Sequence, residues 1–352
     1  MPPRRRLPER DLDACAEQAE AAFQSLRGAR ILMTGGTGFF GRWMLESFSW
    51  SNLRLALGAQ LTVVTRDPVK FCASAPHMAA DPSIDFVSGD VRSFDCGDRP
   101  FSHVIHAATT ASQALNERAP LEMIDTIVGG TRRILDVAER AGAARVLFVS
   151  SGAVYGAQPD DVSHVPESFR GGPDTSDPRN AYAEAKRLGE LLCAIYARET
   201  KSAVVVARAF AFVGPHLPLS THFAIGNFIR DALSRPSIVI KGDGTPIRSY
   251  LYAGDLAVWL WTLLARGRGG QTYNVGSEDA RSLRAVAEIV GGLEKKPLEI
   301  RCNPRPDAKP MQYVPATLRA RTELGLAETV PLADAIERTM SWYRQGHLDS
   351  SS

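Results

Sequence analysis

Tyr182 and Lys186 stand four residues apart within Asn180 to Glu199, a segment whose apolar spacing predicts a long amphipathic helix, so both side chains project from one face. An ammonium beside a phenol favours the phenolate, because the opposite charge stabilises the ionised form. Such a tyrosine can take a proton from a carbinol or return one to a carbonyl. Upstream, the apolar run Arg145 to Ser150 (RVLFVS) reads as a buried strand and delivers Ser151 to its end, where a hydroxyl could hold the same oxygen. A Tyr-x-x-x-Lys pair by itself is as readily a surface pair. Its weight here comes from a second stretch able to hold a redox partner.

That stretch is Arg30 to Gly41, RILMTGGTGFFG. Apolar residues suited to a strand run into a glycine turn, and the amphipathic run Arg42 to Phe48 then reads as a helix. Glycine lets the backbone approach a pyrophosphate, and free amides with the helix dipole favour its charge. The spacing Gly35-x-x-Gly38-x-x-Gly41 is wider at the front than G-x-G-x-x-G. Gly35, Thr37, Gly38, Phe39 and Phe40 are the candidate cofactor contacts, and a nicotinamide held there would supply the hydride. Cofactor choice is read at the end of the next strand, Gln60 to Thr65. An acid there would accept the ribose hydroxyls of NAD, whereas an arginine suits the 2′-phosphate of NADP. Thr65 occupies the acidic slot beside Arg66, which favours NADP; Asp67 keeps NAD open if the strand runs two residues further.

The elements that must position these residues alternate along the chain. Ile84 to Val87 and His103 to His106 read as further strands, Pro120 to Ala141 as a helix, and Ser202 to Ala207 as a strand after the Tyr182 helix. Uniformly apolar strands alternating with helices predict an α/β fold, a Rossmann-like doubly wound parallel sheet with a smaller carboxy-terminal α/β substrate domain. Residues 1–28 form an arm and an extra helix, Asp11 to Arg27. Residues 29–208 form the dinucleotide domain, to which 237–275 returns. Residues 209–236 and 276–346 form the substrate domain, and 347–352 a disordered tail. Ile247 to Tyr252 is expected to be extended, and Trp259 and Trp261 to be core or interface.

Composition narrows the classes. The chain has 352 residues, 44% hydrophobic and 23% charged, with a net charge of +2, so nothing steers it toward nucleic acid or an acidic membrane. Five scattered cysteines never form a C-x-x-C pair, which suits reduced thiols in a cytoplasm and predicts neither a disulfide framework nor a metal site. No apolar run is long enough to span a membrane, and the basic start MPPRRRLPER lacks the apolar segment of a secretory signal.

Together, TGGTGFFG, Gly89-Asp90-Val91, His106-Ala107-Ala108, SSGAVYG (Ser150 to Gly156), Tyr182/Lys186 and RSYLYAGD (Arg248 to Asp255) resemble the extended short-chain dehydrogenase/reductase family, in its nucleotide-sugar epimerase, dehydratase and reductase branch. The resemblance covers roughly Arg30 to Arg344. It implies Asp90 and Val91 near the adenine and Ala107, Ala108 and Thr109 along the cofactor. It makes Ser151, Tyr182 and Lys186 the catalytic set, with Lys186 holding the ribose and lowering the Tyr182 pKa. Ser151, Ala153, Arg248 and, more loosely, Asn227 fall where the family meets the sugar nucleotide, with Arg248 toward the diphosphate. A homodimer through the Pro120 and Asn180 helices is also implied.

Branches of the family differ between the catalytic hydroxyl and V-Y-G. Dehydratases place an Asp-Glu pair there, sugar-acid decarboxylases a glutamate in the second slot, and fucose-synthase-like enzymes a cysteine. Gly152 and Ala153 do no acid–base work, so hydride chemistry remains. His216, in Gly-Pro-His, falls where fucose-synthase-like enzymes keep a second acid; it could protonate an enolate or bond substrate or backbone from its loop. The expected activity is a nucleotide-sugar epimerase, with an NADPH-dependent 4-ketosugar reductase as the alternative. A non-catalytic NADP-binding sensor or scaffold would predict loss of Tyr182 or Lys186, and both are present.

Overall fold

In this computed structural model residues 6–108, 113–221, 223–302 and 309–345 are described; Thr109, His222 and the tail from Asp349 lie outside them. Short β-branched runs form β1 (Arg30–Thr34), β2 (Gln60–Thr65), β3 (Ile84–Ser88), β4 (His103–His106), β5 (Arg145–Ser151) and β6 (Ala203–Ala209). Shorter strands follow: β7 (Phe212–Val213), β8 (Ile238–Ile240), β9 (Ile247–Arg248), β10 (Leu251–Tyr252), β11 (Thr272–Val275), β12 (Arg281–Ser282), β13 (Leu298–Ile300) and β14 (Gln312–Tyr313). Seven of them make one all-parallel sheet in the order β11-β6-β5-β4-β1-β2-β3.

The helices are α1 (Glu9–Gln18), α2 (Glu20–Ser25), α3 (Phe39–Arg54), α4 (Pro68–Ser74), α5 (Pro76–Ala79), α6 (Gln113–Arg118) and α7 (Pro120–Arg140). After them come α8 (Ala181–Glu199), α9 (Ala224–Ser234), α10 (Ala253–Arg266), α11 (Leu283–Glu294), α12 (Leu318–Leu324) and α13 (Leu332–Arg344). Because side chains alternate along a strand, each strand feeds two cores. Ile31, Met33, Leu61 and Val63 join Trp43 and Phe48 of α3 and Leu260 of α10. Leu32, Val64, Val104 and Val146 join Ile134 of α7 and Cys193 of α8 on the opposite face. The chain winds outward from β1 through β2 to β3 and then returns to β4 on the other side of β1. A crevice therefore opens between the carboxyl ends of β1 and β4, where such sheets take their ligands.

Three expectations are corrected. The amino-terminal helix is two, broken at Ala19 (φ −100°, ψ 15°); the turn seats Phe23 on Trp261, with ring centroids 5.4 Å apart. The extended run Ile247 to Tyr252 is interrupted at Ser249-Tyr250: β9 pairs with β12 and β14, while β10 pairs with β7. The segment 237–275 does not return as a unit, since β8 pairs with β13 outside the main sheet and β11 supplies that sheet's edge strand. Trp259 and Trp261 are both fully buried in α10. Among the described residues no helix is long and apolar enough to cross a membrane.

Candidate functional site

Two backbone approaches shape the glycine turn. Gly35 has φ +81°, and a Cβ there would lie 2.4 Å from the Ala107 carbonyl carbon, so the turn after β1 touches the end of β4. A Cβ on Gly41 would lie 2.3 Å from the Gly35 oxygen. Only glycine permits this tight entry into α3. Gly38 caps the helix with no side chain on the first-turn amides, and no acid stands in that turn. Thr37 is half-buried in the turn. The Phe40 ring leans toward Phe39 at 5.7 Å and packs edge-on against Phe212 at 4.9 Å, leaving backbone rather than ring to face an anion. This cradle fits a dinucleotide pyrophosphate.

The strand ends extend the cradle. The Ala108 N–H donates to Thr34 Oγ1 at 3.3 Å, and Thr34 Oγ1 and His106 Nδ1 are 2.7 Å apart. Burial holds the His106 imidazole down at about 3, with the Lys186 charge adding to the effect, so it is a neutral strut between β1, β4 and Thr131 of α7. β2 ends at Thr65, Arg66 is exposed beyond it, and the Asp67 carboxylate accepts from the Lys70 N–H at 2.9 Å as the cap of α4. Asp90 follows β3 and is gripped by Arg92, with Oδ1 2.8 Å from Nε; those hydrogen bonds hold its carboxyl down at about 2. Val91 beside it packs on Gly130 of α7.

At the next strand end, Ser151 closes β5, and its Oγ accepts from the Ala153 N–H at 3.2 Å as a 3-10 turn, Gly152–Tyr155, begins. α8 is aimed by the Asn116 carboxamide, whose Oδ1 accepts the Tyr182 N–H at 3.0 Å and whose Nδ2 donates to the Arg179 carbonyl at 2.7 Å. Lys186 is 1% exposed; its Nζ donates to the Val149 carbonyl at 2.8 Å and lies 5.0 Å from the Phe148 ring centre. Burial lowers the ammonium to about 8. The expected depression of the Tyr182 phenol by Lys186 is not what the structure shows. Burial pushes that phenol up, and the neighbouring Ser151 acts against the rise.

The 150–156 segment is braced from behind. Ser150 Oγ donates to Glu190 at 2.6 Å, Glu190 pairs with Arg208 at 2.6 Å, and the Tyr155 hydroxyl donates to Asn274 at 2.7 Å. Arg248 on β9 donates to the Met311 carbonyl at 3.2 Å and lies 5.7 Å from the Tyr313 ring centre. That tyrosine was missed by sequence reasoning, yet its hydroxyl lies 2.7 Å from where a Gly152 Cβ would stand. Nothing in the local spelling MQYVP marks it, because β14 is brought there by pairing with β9.

Two candidates stand elsewhere. His216 is corrected: it has φ +69°, its side chain is fully buried, and it lies 3.5 Å from Glu46 of α3 and edge-on to Trp342 of α13. A ring enclosed between α3 and α13 is not presented to substrate from a loop. Asn227 bonds the Thr221 carbonyl and Arg230, stabilising the start of α9. Ala153 is half-buried in the turn beside Ser151.

A glycine-turn cradle and a Ser–Tyr–Lys set at the carboxyl edge of a doubly wound sheet define an enzyme of the extended short-chain dehydrogenase/reductase class. The NAD dependent epimerase/dehydratase family matches residues 31–276, and the chain belongs to it. It is 26% identical over 314 residues to UDP-glucuronic acid decarboxylase 1 of Danio rerio, covering 89% of this chain and 72% of that one. A dTDP-glucose 4,6-dehydratase of Streptomyces venezuelae, solved with NAD bound, superposes with a TM-score of 0.76 at 26% identity, covering 90% of this chain and 97% of that one. The fold of the Thermotoga maritima UDP-glucose 4-epimerase matches with a TM-score of 0.76 at 21% identity, over 90% and 99% of the two chains.

Proposed function

We propose that the protein is a nucleotide-sugar epimerase that oxidises a sugar hydroxyl to a ketone and reduces it again on the other face. Ser151, Tyr182 and Lys186 are its catalytic set. The observation that carries this reading is Gly152-Ala153: no ionisable side chain follows Ser151, and the space beside Gly152 is closed by Phe210 and Tyr313. The site therefore has a proton acceptor for the hydroxyl but no carboxylate beside Ser151 to move a carbon-bound proton.

Tyr182 takes the hydroxyl proton while Ser151 holds the same oxygen. The nicotinamide, when bound, accepts and returns the hydride. Gly35, Thr37, Gly38 and the first-turn amides at Phe39 and Phe40 hold the pyrophosphate. Asp90, Val91, Ala107 and Ala108 line the remainder. Lys186 spends one of its three N–H donors on Val149 and keeps two for the ribose. Arg248 takes the diphosphate of the substrate, with Ala153 as a further substrate contact. The exposed Leu121, Leu188, Leu191 and Ile195 on α7 and α8 support a homodimer through those helices.

A second reading, net reduction of a 4-keto sugar by NADPH, is favoured by one observation: Asp67 is engaged as a helix cap, leaving Arg66 exposed where a 2′-phosphate would sit. Releasing and identifying any nicotinamide nucleotide from the denatured protein separates the two. Retained oxidised cofactor supports the epimerase; an empty protein preferring NADPH over NADH supports the reductase. Incubation with UDP-glucose, UDP-glucuronic acid and dTDP-glucose then reads the product. Release of carbon dioxide from the glucuronate, or loss of water from either glucose, overturns the proposal. Tyr182→Phe should lower turnover at least ~100-fold, the scale of a lost general acid–base group, while nucleotide binding survives. Undiminished function in that variant would point instead to a non-catalytic sensor.

A further inference from the structure

The catalytic helix α8 begins without a cap of its own. Its N-cap residue, Asn180, comes straight off a 3-10 turn, Pro178–Asn180, and has φ −87° and ψ 3°. A capping side chain reaches the second or third helical N–H from an extended backbone, and Asn180 does not have one. Its Nδ2 donates instead to the Asp174 carbonyl at 2.9 Å, and its side chain makes no bond to the first turn. The N–H of Tyr182, second residue of the helix, would thus be an orphan donor. Asn116 of α6 accepts it at 3.0 Å, and the same carboxamide donates to the Arg179 carbonyl at 2.7 Å. A carboxamide offers acceptor and donor together without charge, and this one spans the entry to α8.

Where Asn116 comes from matters as much as what it bonds. α6 follows β4 in the chain, and the two residues after β4 are fixed to the glycine turn. The Ala107 N–H donates to the Thr34 carbonyl at 3.1 Å and the Ala108 N–H to Thr34 Oγ1 at 3.3 Å. One helical turn beyond Tyr182, Lys186 fastens α8 to β5 through the Val149 carbonyl. The helix therefore has two polar anchors, one on β5 and one that leads back to the dinucleotide cradle. We propose that Asn116 is a positioning residue: it caps α8 from the segment that leaves the cradle and so holds Tyr182 in register with the dinucleotide. The proposal rests on the reading of Tyr182 as the proton acceptor. A carbinol must lose its proton to Tyr182 and its hydride to the nicotinamide from one pose, and a shift of ~1 Å in either acceptor costs up to ~100-fold. Asn116 itself touches only backbone.

The test follows amide hydrogen exchange at the head of α8 in the full chain, with and without NAD⁺ or NADP⁺, whichever binds. In wild type the dinucleotide should slow exchange at the Tyr182 amide about tenfold. Asn116→Ala should still bind it within about threefold, since the glycine turn is untouched, but without that slowing. Turnover is read with whichever of UDP-glucose, UDP-glucuronic acid and dTDP-glucose the wild type converts. In Asn116→Ala kcat should fall about tenfold at unchanged KM, the scale of a lost cap. Asn116→Asp keeps an acceptor for the Tyr182 N–H and should recover most of that loss. A merely structural cap would lower thermal stability and leave kcat of the folded enzyme in place, and that result overturns the proposal. So does Tyr182 exchange in wild type that ignores the dinucleotide, a result that needs neither a variant nor a sugar. If Tyr182→Phe keeps full turnover, the function proposed above fails and takes this inference with it. If Tyr182→Phe is inactive while Asn116→Ala matches wild type in exchange and kcat, only the inference falls.

Discussion

Lys186 is a charged side chain enclosed almost completely, and its environment opposes the charge. Its ammonium falls from the usual 10.5 to about 8 because burial disfavours the cation. The folded state binds this proton more weakly than the unfolded chain does. The burden is therefore full below pH 8 and is relieved as pH rises from 8 toward 10.5, where the unfolded chain holds the extra proton. Lys186→Met removes the burden and also the bond to the Val149 carbonyl. We expect the variant to be more stable than wild type by roughly 1–2 kcal/mol at pH 7, with the gap closing toward pH 10, and to lose ribose binding and turnover. Urea unfolding at the two pH values checks the first expectation and nucleotide titration the second. A variant less stable at pH 7 would mean that the Val149 bond outweighs the desolvation.

Elements aim these side chains through their ends. β1 and α3 meet at a turn so tight that Gly35 lies against Ala107 and Gly41 against Gly35. Gly35→Ala places a methyl on the β4 carbonyl at a positive φ, and we expect it to destabilise the fold by about 2–4 kcal/mol and to abolish dinucleotide binding. Thermal unfolding and cofactor titration check both; retained binding would show that the turn can open without losing its anion site. α8 is aimed differently, by the Asn116 carboxamide of α6 on the backbone of its first turn. The strands β1, β2 and β4 were legible to within a residue because apolar runs bounded by turn residues have only one use in a parallel sheet. Extended backbone alone does not choose partners, so the split of Ile247 to Tyr252 between two sheets was hidden.

Across the whole molecule, Glu46 joins distant segments in one buried cluster. Its carboxylate accepts from the Leu7 N–H at 2.6 Å and lies 3.5 Å from both His77 and His216. Burial would raise this carboxyl, but the neighbouring His216 and His77 and the hydrogen bond from the Leu7 N–H override it and hold it at about 2, against the usual 4.5. A depressed carboxyl stabilises the fold above pH 4.5, and that contribution is lost as pH falls through 4.5 toward 2. Glu46→Gln should cost about 3 kcal/mol at pH 6, with the deficit shrinking between pH 4.5 and 2. Urea unfolding across that range checks it. Asp11 accepts from Tyr252 and Arg338 at 2.8 Å each, so α1 is fastened to β10 and α13 rather than left as an appendage.

The sequence by itself determined the alternation of strands and helices, the glycine turn and the family, because each depends on local spacing and on side-chain types that few other structures need. The tertiary structure alone decided what fills the space between them. His216 reads as a site residue from its neighbours in the chain, yet packing of α3 against α13 encloses it beside Glu46. Tyr313 has no local signature at all and comes to lie against Gly152 only because β14 pairs with β9 across a separation that spacing cannot measure. Lys186 was expected to act on Tyr182 through charge, and its ammonium also donates to the Val149 carbonyl, a contact no spacing announces. Side-chain identity limits what chemistry is possible. Long-range pairing and burial choose which groups share it.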